Sequence, residues 1–279
     1  MVAFSRLFPP AEAVRASALL TVVSSSGRIV ATLSNGPLNN VGGYSLAFTV
    51  ATGVAAVALV IAATTHEAPL PSRRPSVAGV GKLILRRDVL LPSLLSAVAQ
   101  YANWASTFGF LPILAKNLNA SDVMVSTLVS LNIFLGLLGN LTATTLVRRM
   151  GARRLCYLSF LMLSAGLGGS AIASNIPMLI ASQAAIGLGM GVAYPVLMGM
   201  SIRNVVETER TTAMGLHQSV YAAGMFLGPW LSGVMAAGVL GLGVADAGMA
   251  VRITFGITAF ACLALGTLGT WLLVEQMKH

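Results

Sequence analysis

The stretch SLAFTVATGVAAVALVIAAT (45–64) holds twenty residues without a charge, and seven more stretches of similar length and character follow or precede it. About twenty mostly apolar residues in a helix match the thickness of a bilayer's hydrocarbon core, about 30 Å. Inside that core a helix satisfies its own backbone groups, so repeated runs of this length dictate an all-α, membrane-spanning chain. The runs fall at roughly 14–38, 44–64, 89–114, 123–146, 155–174, 177–200, 212–237 and 250–273. Composition agrees: 56% of the 279 residues are hydrophobic and 9% are charged, against about 25% charged in an ordinary soluble domain.

The net charge of +9 does not mark a nucleic-acid surface, because the cations sit in short loops between apolar runs. With the N-terminus placed in the cytoplasm, fourteen of the seventeen Lys and Arg residues fall on the inside. They cluster at Arg6 and Arg15, Arg73 to Arg87, Arg148 to Arg154, Arg203 and Arg210, and Lys278; only Lys116 and Arg252 lie outside, and Arg28 lies within a span. This bias sets orientation and predicts an inner-membrane protein with both termini cytoplasmic. No cleavable signal peptide is evident. Cys156 and Cys262 both lie in apolar runs and read as small buried hydrophobes, not as a disulfide or a metal site.

One connection is unlike the rest. TTHEAPLPSRRPSVAGVGKLILRRD (64–88) is long, basic and rich in proline, and it divides two spans from six. It predicts three segments: 1–64, the last two helices of an N-terminal bundle; 65–88, a cytoplasmic linker; and 89–279, a six-helix C-terminal bundle. A weak repeat supports equivalence of the two sides. SNGPLNN (34–40) precedes one apolar helix, and FLGPWLSG (226–233) precedes another; internal symmetry of this kind is common in transporters. If the halves are equivalent, four further helices belong on the N-terminal side.

Three motifs then resemble the major facilitator superfamily over essentially the whole chain, matching its fifth to twelfth helices. GMFLGPWLSG (224–233), with Gly224, Gly228 and Pro229, is similar to the family's antiporter motif; the copy at Gly36 and Pro37 carries Asn39 and Asn40 where the motif has glycines. GNLTATTLVRRMGARR (139–154) resembles the cytoplasmic-loop motif through Arg149, Gly151, Arg153 and Arg154, with Arg148 in place of its aspartate. IGLGMGVAYPVLMGMSIRNVVETERTTAMG (186–215) resembles the tenth-helix, loop and eleventh-helix stretch. The resemblance implies a secondary transporter that moves a small molecule by alternating access, with a proton-coupled drug or metabolite exporter as its more specific form. A non-transporting remnant or scaffold subunit is the alternative reading, and a membrane-embedded enzyme a third.

Polar residues inside a membrane are costly and mark sites by default. Arg28 lies near the middle of the first span, whereas all eight acids (Glu12, Glu67, Asp88, Asp122, Glu207, Glu209, Asp246 and Glu275) fall in loops or at span ends. Arg28 is therefore a candidate for an anionic substrate group. Gln100, Asn103, Trp104 and Thr107 share one side of an α-helix and are candidates for a cavity wall, as are Asn132, Gln183, Tyr194 and Tyr221; interhelical hydrogen bonding is the competing reading. His217, about five residues into its span, is the candidate proton carrier. Gly224 and Gly228, like Gly187, Gly189 and Gly191, read as helix-packing positions, and Asp122 as a helix N-cap. Nothing in the sequence matches a cofactor loop, a nucleophile triad or a metal cluster, so the expected partners are lipid, a small molecule and protons, with no nucleic acid, cofactor or metal.

Overall fold

Prolines and glycines, not charges, punctuate the helices of this chain. The computed structural model describes residues 13–64, 77–244 and 246–276, and among these there is helix but no strand. The sequence-predicted linker residues 65–76, with Arg73 and Arg74, and the terminal cations Arg6 and Lys278 lie outside the described residues.

Helix α1 runs Ala13–Thr64, through Pro37. Fifty-two residues in a straight helix would extend about 78 Å, far more than a bilayer is thick. Two non-helical residues divide it instead, Gly42 (φ −138°, ψ 17°) and Gly43 (φ 64°, ψ −172°). The positive φ of Gly43 is open only to glycine at little cost. The break therefore falls five residues beyond the Gly-Pro pair, and the expected spans 14–38 and 44–64 are its two legs.

The expected linker is not all loop. Its last part folds as α2, Val77–Ile84. Helix α3, Arg87–Asn103, then leads into a π-helical stretch, Trp104–Phe110, and α4, Leu111–Asn117. This corrects the reading of 89–114 as one continuous α-helix. Pro112 supplies the reason: a proline ring clashes with the carbonyl four residues back and offers it no amide. Widening the preceding turns relieves that clash, and the Leu111 amide reaches back five residues to the carbonyl of Ser106.

The remaining helices are α5 (Asp122–Met150), α6 (Ala152–Ile172), α7 (Ile176–Ile202), α8 (Glu207–Gly241) and α9 (Ala247–Gln276). Three of these helices are capped by side chains at their N-termini. Ser121 Oγ accepts the Met124 amide at 3.2 Å, so Ser121, not Asp122, is the cap of α5. Asn175 Oδ1 accepts from Met178 at 3.0 Å, and Asp246 Oδ2 from Met249 at 2.8 Å. Among the described residues six helices, counting α1 once, are long and apolar enough to cross a membrane; the break in α1 and the composite α3–π–α4 rod account for the other two expected spans.

Contacts divide the described chain into two units. One holds α1 with the start of α5 (121–130); the other holds α2 to α4, the rest of α5, and α6 to α9. In the first, Gly36 is buried with no room for a Cβ beside the backbone of Asp122 and Val123, Thr32 Oγ1 lies 2.6 Å from Ser130 Oγ, and Asn39 donates to Asp122. Pro37 faces outward.

In the second unit, glycine seams set the register. A Cβ on Gly224 would collide with the carbonyl of Ala97, and one on Gly228 would lie 2.9 Å from the amide nitrogen of Ala105. Residue numbers rise together along this seam, so α3 and α8 run parallel. Gly187 and Gly191 of α7 press against the backbones of Asn132 and Gly136 in α5, again parallel. Gly189 meets Ser159 while Gly166 meets Ser182, so α6 and α7 are antiparallel. These directions are the ones alternate membrane crossings require. Between the helices lies an apolar core that includes Leu95, Phe160, Leu163, Ile186, Leu197, Cys156 and Cys262. Both cysteines are buried free thiols, as read from the sequence.

The seam predicts a sharp contrast within one helix. Gly224→Val should lower stability by about 1–3 kcal/mol or more through overpacking. Gly238→Ala in the same helix meets open space and should be neutral or gain up to about 1 kcal/mol of helix propensity. Denaturant titration of the detergent-solubilised protein measures both.

Candidate functional site

Two buried polar groups lie within the apolar helices of the second unit. The first gathers around the π-helical stretch. Thr107 Oγ1 donates to Gln183 Oε1 at 2.8 Å and lies 3.4 Å from Asn103 Oδ1, while Asn132 Nδ2 donates to the Gln183 carbonyl at 3.4 Å. Asn103, Thr107, Asn132 and Gln183 are all buried, and Gln183 Nε2 is left without a partner among the described residues. Four of the sequence-predicted cavity residues are thus brought together, in the interhelical bonding arrangement that competed with the cavity reading. The knot is uncharged. Gln100 is also buried, and Trp104 stands half-buried with its ring 4.7 Å from Phe108.

The second group sits at the α2 end. Ser93 Oγ donates to the Val89 carbonyl at 2.6 Å and lies 3.0 Å from His217 Nδ1. A hydroxyl has one proton; committed to Val89, it leaves Nδ1 to donate to Ser93, so Nε2 of the neutral ring is a bare acceptor. That atom is buried without a partner among the described residues. The Tyr221 ring lies 6.2 Å from His217 and 5.6 Å edge-on from Tyr194, both tyrosines half-buried. His217 is deeper than its distance from the expected span start implies. Helix α8 begins at Glu207, which puts His217 almost three turns in. The acidic first turn, Glu207 and Glu209, extends the helix because carboxylates favour its N-terminus.

Sequence reading missed Ser93, and also Ser232, whose Oγ is 3.0 Å from Tyr101 Oη. A serine in an apolar run leaves no periodic signal. The π-helical stretch was signalled only by Gly109 and Pro112. Gly228 packs beside that stretch, and a Cβ on Gly109 would lie 3.7 Å from Pro229. Arg28 belongs to the other unit, where it is exposed and its guanidinium has no partner among the described residues.

Electrostatics outside the spans centre on Arg86. It grips Asp88 through Nε at 3.1 Å and Nη2 at 2.8 Å, and Nη2 also donates to the Asn204 carbonyl at 3.0 Å. The bonds from Arg86 hold the Asp88 carboxyl below its ordinary range against the opposing effect of burial. At the opposite end of the helices, Arg252 donates to the Ala171 carbonyl at 3.1 Å, closing the last turn of α6.

A chain whose long apolar helices enclose polar knots at depth is a multi-pass membrane protein of transporter architecture. Residues 93–278 match the family model of the Major Facilitator Superfamily, and the chain belongs to that superfamily. A solved structure described as a bacterial homolog of the human lysosomal transporter Spinster, inward-facing and occupied, is similar with a TM-score of 0.71. It shares 14% sequence identity, over 98% of this chain and 72% of that one. Among curated proteins nothing matches the sequence.

The Arg86–Asp88 pair gives a signed pH dependence. A carboxyl with a lowered folded pKa stabilises the protein above its unfolded pKa, about 4, and that contribution goes as pH falls through the folded value. Asp88→Asn should therefore be slightly less stable than the parent at pH 7, with the difference closing below about pH 4. Both side chains are a third exposed (34% and 33%), so the effect is small. Parallel denaturation of the two proteins across pH checks it.

Proposed function

We propose that this protein is a secondary transporter that carries a small organic anion across the membrane by alternating access, driven by protons. The observation that carries the reading is the uncharged polar knot of Asn103, Thr107, Asn132 and Gln183, buried inside apolar helices at a break in one of them. Broken helices supply sites in transporters because backbone groups freed there face ligand or protein instead of lipid. Arg28, in a span whose described surroundings offer it no acid, supports an anionic cargo. His217 supports proton coupling: its ring is held in one tautomer by Ser93, and its second nitrogen is free to take a proton. Export is the direction favoured by resemblance of Gly224, Gly228 and Pro229 to the antiporter motif.

A second reading, a non-transporting subunit, draws on α1: every residue from 48 to 64 is exposed, as expected of a helix that meets another protein.

Everted membrane vesicles loaded by an imposed pH gradient discriminate the two. A panel of fluorescent organic anions should show proton-driven accumulation; Arg28→Ala should abolish it with membrane expression intact, and His217→Gln should uncouple it from pH. Unchanged transport in Arg28→Ala sinks the anion role, and unchanged pH dependence in His217→Gln sinks the coupling role.

A further inference from the structure

The stretch expected to be linker ends in a docked element. Leu83 of α2 is 1% exposed, buried with Val89, Val205 and Ala213 and flanked by Ile202 and Leu216. Two residues beyond α2, Arg86 binds Asp88 with two hydrogen bonds and the Asn204 carbonyl with a third. An apolar peg and a guanidinium clasp together fasten α2 to the connection between α7 and α8.

The peg's position gives it significance. Val89 stands one turn before Ser93 in α3, and its carbonyl is the acceptor of the Ser93 hydroxyl. Ala213 stands one turn before His217 in α8. The Leu83 cluster therefore forms the layer next to the Ser93–His217 pair, between it and the α7–α8 connection. Both Ser93 and His217 are fully buried, and Nε2 of His217 is without a partner among the described residues. A bare ring nitrogen in an apolar site is costly to keep, and the layer on this side of it includes Leu83, the one member that comes from the eight-residue helix α2. The neighbouring layers are different in kind. Gly224 against Ala97 is backbone against backbone, which cannot part without separating two whole helices.

We propose that Leu83 is a removable plug over His217, held shut by the Arg86 clasp, and that its withdrawal is the route by which solvent reaches the imidazole from the α2 end. Short amphipathic helices with few buried contacts open at lower free energy than the core they cover. Leu83 lies on such a helix, while the clasp lies in the polar loop region where ions and water compete for its hydrogen bonds. The plug acts through access to His217 and touches no cargo, so it stands or falls independently of the transport reading.

Cysteine accessibility in the full chain tests this without any substrate. In a Cys156→Ala, Cys262→Ala background, His217→Cys is exposed to a small, charged methanethiosulfonate in right-side-out and everted vesicles. The labelling rate should be low in the parent and rise at least tenfold on adding Leu83→Ala or, separately, Arg86→Gln, and only in the vesicle orientation that presents α2. A Ser232→Cys control, buried elsewhere along the α3–α8 seam, should stay slow in both variants. The proposal is overturned if neither substitution raises the rate, if the rise is equal in both orientations, or if the control rises in step, which would mean general loosening.

Discussion

Close approach of helix backbones is the constraint on which the rest of this structure depends. In lipid no hydrophobic force drives one apolar helix onto another, so association rests on van der Waals packing and interhelical hydrogen bonds. Packing is best where side chains vanish. Gly224 and Gly228 bring α8 onto α3, and Gly187 and Gly191 bring α7 onto α5. Each seam fixes both spacing and register, because a slip of one turn would bring Val220 or Ser232 of α8, and Gln183 or Pro195 of α7, into a position now held by glycine. The polar contacts follow from that register. Ser93 meets His217 on the same seam that brings Ala97 against Gly224, and Thr107 reaches Gln183 because α3 and α7 share the core around Ala102, Ile186 and Ala193.

The proline of the antiporter-like motif takes its meaning from its neighbour. Alone, Pro229 is a lost hydrogen bond in a long helix. Opposite it, Pro112 has already forced α3 through π-helical turns before α4 can begin. Gly228 then lets α8 pack closely on the π-helical stretch, because a Cβ there would lie 2.9 Å from the Ala105 amide nitrogen. Proline is tolerated in such helices because neighbouring groups re-satisfy the freed carbonyls. The same widening positions Thr107 for its bond to Gln183, so the irregular backbone and the polar knot are one feature.

The class of fold was legible in the sequence because hydrocarbon leaves so few options. Run length, loop charge and spaced glycines each carry a physical signal that needs no partner to be read, and the contact directions among α3, α5, α6, α7 and α8 agree with alternate crossings. What was not legible depended on partners. The π-helical stretch arises from a clash between Pro112 and a carbonyl one turn back, which a pattern with α-helical spacing passes over. Ser93 has no polar neighbour in sequence, so only its contact with His217 gives it a role. The depth of His217 was underestimated because the polar first turn of α8 resembles a loop in hydropathy, yet Glu207 and Glu209 there favour a helix start. The docking of Leu83 was hidden for a similar reason: one buried leucine in a basic, proline-rich stretch has no periodicity to reveal it.

Charge is arranged so that the second unit can be rebuilt locally without stranding an ion. Its buried polar groups at depth are amides, hydroxyls and an imidazole, and the cations among the described residues of that unit lie at helix ends, where Arg86 and Arg252 bond to carbonyl oxygens. A neutral amide that loses its partner for a moment costs far less than an unpaired guanidinium in the same place. Exchange of partners within the Asn103–Thr107–Gln183 knot is accordingly cheap, and the orphaned Nε2 of Gln183 already offers an alternative donor. His217 fits the same pattern, since a neutral serine hydroxyl, and not an ion, stands beside its ring.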